Sequence, residues 1–419
     1  MHGRSIRYGF VGAGFNAKFH LAALRQLRGI KVAGVVSVAG APEFAKLAAD
    51  WGVGDARVFE SVGEMAKHVD CIAVCAPNFA RLEIVEAVTD AVKAGAELKG
   101  VICEKPLGRN VAEARRLVDL ARGANLRTAY FENQIHMKPV RVQLAQLEPL
   151  RRQMGPLTLA RSAEEHGGPH EGWFWDPTRQ GGGVLCDMGC HSIAVGWYVL
   201  TPTGKPATFL EPQEITADLG LLKWGQPASR DKLLKDRGVD YSKTPAEDFA
   251  TGMVTFRNPE TGQLVKAQFT NSWMFEKQGL RLLMDGMGPG YAFEINSLAS
   301  PLTIFIGDAA ADAIKDAELA LEKSTASRGL LAVQHNEPDL YGYTDENADA
   351  RDAFLDGRDA LVTWEYGLEI TRLVMAAYMS AEQKRVVDLT DPATRQALET
   401  YVPLIQQGKG AEQLYGGKR

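Results

Sequence analysis

Two rhythms of apolar and polar positions run along this chain. Over residues 1–133, short apolar runs alternate with longer stretches whose apolar residues recur every three or four positions. Ile6–Val11, KVAGVVSV (31–38), Val69–Ala76, GVICEKP (100–106) and RTAYFEN (127–133) read as buried strands. KFHLAALRQL, APEFAKLAADWG, RLEIVEAVTDAVKAG and NVAEARRLVDLARGA fall between them and read as helices, two of them stopped by glycine. Strands alternating with helices of this length predict βαβ units and a doubly wound parallel sheet, with ligands taken at the carboxyl ends of the strands. Those ends fall at Gly12, Ser37, Ala76-Pro77-Asn78, Glu104-Lys105-Pro106 and Glu132-Asn133.

After Asn133 the rhythm changes. PLTLARSAEEH predicts a strand, HSIAVGWYVL a helix and EITADLGLLKW another strand. Residues 224–248 are strongly charged and read as a surface insertion with a short helix. DFATGMVTF and LVKAQFTNSW flank NPETGQ as a hairpin, LRLLMDG and YAFEIN flank MGPG as a second, and PLTIFIG follows. The pattern predicts an α+β domain with a large open, mainly antiparallel sheet and helices on one face. Covering the other face calls for a homodimer or homotetramer. Residues 309–329 read as an exposed helix and 329–350 as a loop whose His335, Tyr341 and Tyr343 are within reach of a cleft. The boundaries expected are 1–133 for a dinucleotide-binding Rossmann domain and 134–419 for a substrate and oligomerisation domain, with a closing helix and strand near 350–390 packing back toward the first.

Composition narrows the class without naming a reaction. With 419 residues, 45% hydrophobic and 24% charged, the chain can bury its core without disulfide or metal staples. A net charge of −5 gives no electrostatic case for nucleic acid or an anionic membrane. Five cysteines, an odd number placed in apolar runs, read as reduced buried thiols of a cytoplasmic protein. No signal-peptide pattern opens the chain, and its apolar runs read as too short for a membrane span.

Candidate chemistry clusters at three places. Gly12-Ala13-Gly14-Phe15-Asn16-Ala17 joins the first strand to a helix, the context a dinucleotide fingerprint requires. Gly12 permits the tight turn, Gly14 lets backbone approach a pyrophosphate, and Ala17 allows close helix packing. Ser37 occupies the segment where an acid would grip a ribose hydroxyl or an arginine a 2′-phosphate; with neither present, NAD is favoured for want of a cation, and NADP stays open. Lys105, directly after a buried strand and held by Pro106, puts an ammonium at the ligand edge of the sheet; a structural ion pair with Glu104 is the competing reading. The third place is GGGVLCDMGCH (181–191), too polar for a core helix and too glycine-rich for a surface one.

Taken together, GFVGAGFNAKFH, VCAPN, CEKPLGRN and GGGVLCDMGCH, in that order, resemble the glucose–fructose oxidoreductase and inositol dehydrogenase family, often called Gfo/Idh/MocA. The late stretch YGLEITRLVMAAYMSAEQKRVVDL is similar to that family's closing helix and strand. The resemblance implies a Rossmann domain followed by an α/β domain, and oxidation of a secondary hydroxyl on a sugar, sugar derivative or cyclitol with NAD(P). It implies cofactor contacts at Gly12, Gly14, Phe15, Asn16, Ser37, Ala76, Pro77, Asn78, Glu104, Lys105 and Asn133. It makes Lys105, Asp187 and His191 the catalytic group.

On that reading, Gly181–Gly183 let a helix start against the cofactor, and Asp187 and His191 at i and i+4 share a helix face. His191 takes the hydroxyl proton, Asp187 orients the substrate or the ring, and Lys105 stabilises the developing alkoxide. His166, Trp173 and Trp175 join Lys105, Asp187 and His191 as substrate candidates, the tryptophans equally readable as packing. Arg81 stands where many members carry histidine, and Phe174 where many carry arginine, which weakens the carry-over at both spots. Zinc on His166, His170, Cys186, Asp187, Cys190 and His191 is disfavoured because the adjacent Cys190 and His191 aim apart on a helix, so no metal is expected. The alternative activity is an NAD-dependent glycoside hydrolase that oxidises, eliminates, hydrates and reduces back. A regulator without chemistry is disfavoured by the presence of all three reactive groups.

Overall fold

β1 (Ile6–Val11), β2 (Ile30–Val36), β3 (Arg57–Val58), β4 (Cys71–Val74), β5 (Gly100–Glu104) and β6 (Arg127–Phe131) form a parallel sheet in the order β3-β2-β1-β4-β5-β6. That order places the switch point between β1 and β4, where such sheets take their ligands. The computed structural model describes residues 4–276, 279–299, 302–306, 329–333 and 336–415, with only the backbone described at 302–306 and 329–333. The chain divides into two units, 1–138 with 338–371 and 139–337 with 372–419. The first unit thus takes in residues 338–371 as well as the N-terminal stretch.

In that unit β4 and β5 are buried on both faces, as their continuous apolar runs require. Helices α1 (Phe15–Leu24), α2 (Ala41–Asp50), α3 (Arg81–Lys93) and α4 (Val111–Gly123) connect them. Asn110 caps α4, its side chain accepting the N–H of Glu113, a capping-box spacing. The core joins Tyr8, Phe10, Phe44 and Ile102 to Ala350, Ala353 and Phe354 of the returning segment. No disulfide joins the five cysteines; burial pushes the Cys103 thiol up to about 11.

In the second unit, α5 (Lys138–Met154) precedes β7 (Leu159–Glu165), and α6 (Cys190–Leu200) packs on β7 and on a later strand of the same sheet. The remaining strands are β8 (Glu211–Gly220), β9 (Phe249–Arg257), β10 (Leu264–Ser272), β11 (Arg281–Gly288), β12 (Tyr291–Asn296), β13 (Leu302–Ile306), β14 (Gly329–Val333) and β15 (Val387–Asp388). Seven form one sheet, β12-β11-β7-β10-β9-β8-β15, antiparallel except for the β7–β10 pair. β13 and β14 make a separate antiparallel pair, so residues 329–333 are a strand and not the loop expected. The helix expected over 309–329 falls almost wholly outside the described residues, as does His335. Helices stand where the pattern predicts none, among them α5 and α7 (Tyr343–Asp356) in the returning segment, which α8 (Trp364–Gln383) follows.

Residues 177–200 are long and apolar enough to cross a membrane by length and composition, against the expectation of shorter runs, but 94% of that window is buried inside the structure. All of GGGVLCDMGCH is buried, and after the non-helical glycines its polar residues lie in buried helical turns.

Phe354 is buried in the first unit's core. Phe354→Ala is expected to cost about 3–5 kcal/mol in chemical denaturation, as for other buried Phe truncations. A loss under about 1 kcal/mol would mean that the returning segment adds little to this core.

Candidate active site

The first glycine turn is built for two different reasons. Gly12 has φ +105°, and a Cβ there would lie 3.0 Å from the Cys75 carbonyl and 3.2 Å from the Ala76 nitrogen. Its conformation and the neighbouring strand end both exclude a side chain. Gly14 caps α1 at φ −75°, a conformation open to any residue, and apart from its chain neighbours a Cβ there would meet no described atom within 4 Å. Nothing among the described residues demands that glycine. The open space at a helix N-terminus fits the backbone approach of a dinucleotide's pyrophosphate. Phe15 is exposed, and Asn16 is half-buried with its Oδ1 lacking a hydrogen-bond partner among the described residues. Ser37 closes its own turn, donating from Oγ to the Ala39 carbonyl at 2.7 Å.

Lys105 is half-buried at the carboxyl end of β5, and its peptide to Pro106 is cis. Its main chain is held from two directions. Buried Arg81, the first residue of α3, donates to the carbonyls of Ala76 (3.1 Å), Glu104 (2.6 Å) and Lys105 (3.1 Å), and to that of Pro106. On the other side, Glu104 Oε2 accepts the Lys105 N–H at 3.2 Å, while Oε1 meets His20 Nε2 at 2.6 Å. Asn347 of α7 places its Nδ2 2.9 Å from His20 Nδ1 and donates to the Tyr343 carbonyl. An amide donor at Nδ1 makes that nitrogen the acceptor, so Nε2 carries the proton given to Glu104. Burial works against ionised Glu104, but His20, Arg81 and Lys105 outweigh it and hold its carboxyl below the usual range. Glu346, close by, is pushed well above its ordinary value by burial and by the charges of Glu104 and Glu132. His20, Glu104 and Glu346 bring ligand atoms within 4.8 Å of one another, but the two carboxylates address opposite ring nitrogens: Glu346 Oε1 lies 3.8 Å from Nδ1. His20 and Glu104 are hydrogen-bonded to each other, whereas neither carboxylate oxygen of Glu346 has a hydrogen-bond partner among the described residues.

Ala76 and Asn78 are buried, flanking Pro77 at the end of β4. Asn133 heads a short helix and donates to the Tyr341 carbonyl at 2.7 Å. Tyr341 and Tyr343 are buried in the first unit, Tyr343 edge-on to His20 with ring centroids 4.9 Å apart.

In the second unit the glycine run serves the protein itself. Gly181 has φ +107° and ends a short helix, Pro177–Gln180. A Cβ on Gly182 would fall on the Tyr378 hydroxyl; one on Gly183 would fall on the Glu247 carbonyl and lie 2.7 Å from its Oε2. The collision expected with a cofactor is therefore met by Glu247 and Tyr378. Glu247 Oε1 accepts the N–H groups of Gly183 and Leu185, each at 3.0 Å, and the Tyr378 hydroxyl at 2.6 Å. Burial dominates these bonds and raises its carboxyl to about 7. Asp187 follows in a π turn (Leu185–Gly189), a widened turn common at functional sites, and His191 lies on α6; both are buried.

His166 is buried, and its Nδ1 accepts the Gly168 N–H at 2.9 Å. Trp175 is 2% exposed, gives its indole N–H to the Pro169 carbonyl, and packs against Trp224, Trp273 and Tyr241. Trp175 thus packs in the core, while Trp173 is half-buried and stacked on Phe174 with ring centroids 3.8 Å apart.

A model described as an oxidoreductase family with an NAD-binding Rossmann fold matches residues 6–131, and a GFO/IDH/MocA C-terminal domain model matches residues 151–287. The chain belongs to the GFO/IDH/MocA family. Its first unit carries the NAD-binding Rossmann fold. Curated relatives include D-glucoside 3-dehydrogenase of Escherichia coli K12, 32% identical over 158 residues (37% of this chain, 42% of that protein). Glucose-6-phosphate 3-dehydrogenase of Bacillus subtilis 168 is 25% identical over 200 residues (46% and 53%). The chain thus matches only about half, or less, of either relative's length. Among solved structures, GenD2 from gentamicin A biosynthesis, in complex with NAD, superposes with a TM-score of 0.71 at 22% identity over 93% of this chain and 97% of that one. A levoglucosan dehydrogenase in complex with NADH and L-sorbose superposes at 0.65 and 16% identity over 92% and 99%. At such identities the superpositions speak for the fold.

His20, Asn347 and Glu247 carry no local signal in the sequence, and Arg81 stands out there only as a departure from the GFO/IDH/MocA pattern. Arg81 is buried under the strand ends, and Glu247 closes a stretch expected to be surface insertion. The glycine triplet was the available signal for Glu247, since three glycines imply something large pressed against them.

Glu247 keeps its proton to about pH 7 when folded and loses it near its ordinary 4.5 when unfolded. Its contribution is full below the lower value and is lost as pH rises toward the upper, a span worth on the order of 3 kcal/mol. Glu247→Gln should flatten the fall of unfolding free energy between these pH values. An unchanged pH dependence in the variant would show that Glu247 titrates normally.

Proposed function

We propose that the protein is an NAD-dependent dehydrogenase that oxidises a secondary hydroxyl of a pyranose sugar or glycoside to a ketone, with Lys105, Asp187 and His191 acting on one substrate. The observation that carries the reading is the half-buried lysine fixed at the carboxyl edge of a parallel sheet whose first turn leaves room at Gly14. Gly12, Gly14, Asn16, Ser37, Ala76 and Asn78 would hold the cofactor. NAD, when bound, supplies the two-electron acceptor for the carbinol hydrogen.

The chain's own groups handle the proton and the charge. His191 takes the hydroxyl proton, since imidazole is the side chain suited to that exchange near neutrality. Lys105 donates a hydrogen bond to the oxygen as negative charge develops there. Asp187, four residues before His191, orients the ring or the substrate. The names of the two curated relatives, each a 3-dehydrogenase, support the C3 hydroxyl of a glucopyranoside as the reacting position.

The test is a panel of methyl glucosides, glucose 6-phosphate and inositols incubated with excess NAD and followed at the reduced-nicotinamide band. Turnover is expected with at least one glucoside. Lys105→Ala should lower kcat about 10²- to 10³-fold and His191→Ala about 10²- to 10⁴-fold, with NAD binding by calorimetry largely retained. Release of an aglycone without net reduced cofactor would replace this reading with the NAD-dependent glycosidase. Full turnover by Lys105→Ala would remove the lysine from the mechanism.

A further inference from the structure

We infer that Arg81 and His20 are positioning residues for Lys105: they grip its main chain from the carbonyl and the amide side and so set where its ammonium stands. The inference rests on the assignment of Lys105 as a catalytic residue. A lysine side chain has four rotatable bonds, so the backbone that carries it decides much of its reach. Parallel strands end in carbonyls with no further strand partner, and here four such groups, those of Ala76, Glu104, Lys105 and Pro106, converge on one buried guanidinium. Arg81 therefore ties the end of β4 to the turn after β5. A lysine at position 81 has neither the planar fork nor enough fixed donors to reproduce the set.

The amide side is held by a relay rather than by one contact. Asn347 fixes the His20 tautomer, His20 donates to Glu104, and Glu104 accepts the Lys105 N–H. Every member is buried except Lys105. Arg81 donates to the Ala76, Glu104, Lys105 and Pro106 carbonyls and His20 bonds Glu104, so on this reading each acts through Lys105. A misplacement near 1 Å at a catalytic group can cost about 10²-fold in rate.

The experiment compares Arg81→Ala, Arg81→Lys, His20→Gln and Lys105→Ala with the wild type. It measures kcat, KM, NAD binding by calorimetry and the thermal midpoint for each. Arg81→Ala and His20→Gln are expected to lose kcat about 10- to 10²-fold while NAD affinity changes less than threefold. Millimolar guanidinium should restore part of the kcat of Arg81→Ala and none of that of Lys105→Ala, while Arg81→Lys should rescue poorly. If the Arg81 variants do not fold, His20→Gln carries the test. Wild-type kcat in either folded variant, or a loss that only tracks the unfolded fraction and ignores guanidinium, overturns the inference. Turnover retained by Lys105→Ala is a separate failure, that of the catalytic assignment itself.

Discussion

Burying a carboxyl group without cost is the constraint on which both candidate centres depend. An unpaired ion taken from water into a protein costs several kcal/mol, so it must be paired, hydrogen-bonded or neutralised. Glu104 follows the first course. His20, the Lys105 amide and the fields of Arg81 and Lys105 keep it ionised against burial, and each partner has a second task in shaping the strand-end turn. Once Glu104 is ionised, Glu346 nearby has reason to hold its proton, and its carboxyl is raised. Glu247 takes the other course: two backbone donors and the Tyr378 hydroxyl satisfy it, but burial still wins and its carboxyl stands near neutrality.

The parallel half of the fold was legible because its signals are local. Strands buried on both faces must be apolar throughout, and the helices between them show a three-to-four spacing that ends at glycine. β3 left no such signal, since Arg57 and Val58 are both exposed. α5 was hidden by Pro149 inside it and by a polar surface that buries only Val140 and Arg151. α7 reads as loop because YTDENADARDAFLD is rich in Asp and Asn, yet Glu346 and Asn347 are among its buried residues. Its identity as a helix comes from what it packs against, the His20 cluster and the core around Phe354, and a linear pattern does not display that.

The same division holds for the candidate site. The glycine turn and the lysine before proline carry their meaning within a few residues, so they could be read directly. Arg81 could not, because its four acceptors lie five, 23, 24 and 25 residues away and are backbone atoms, with no side-chain chemistry to betray them. Charged residues usually face water, and by that rule residues 224–248 were surface; Glu247 and Asp248 are nonetheless fully buried. Asp248 shows why, capping the turn at Leu222, Lys223 and Trp224 with three N–H acceptances of 2.7–2.8 Å. Trp175 reads equally as packing or as a substrate platform in the sequence, and only its neighbours Trp224 and Trp273 favour packing.

The glycines separate two kinds of cause. Gly182 and Gly183 are accounted for by atoms of the same chain, Tyr378 and Glu247, which a Cβ would strike. Their presence would be required whether or not a ligand ever bound, so a glycine triplet ahead of an acid and a histidine is not in itself a sign of a cofactor. Gly14 is the reverse case. Its backbone is ordinary, no described atom lies in the way of a side chain, and it sits at the N-terminus of α1. A glycine that the chain's own packing and conformation leave unexplained, placed where a helix presents its free N–H groups, is what a backbone-bound pyrophosphate would require.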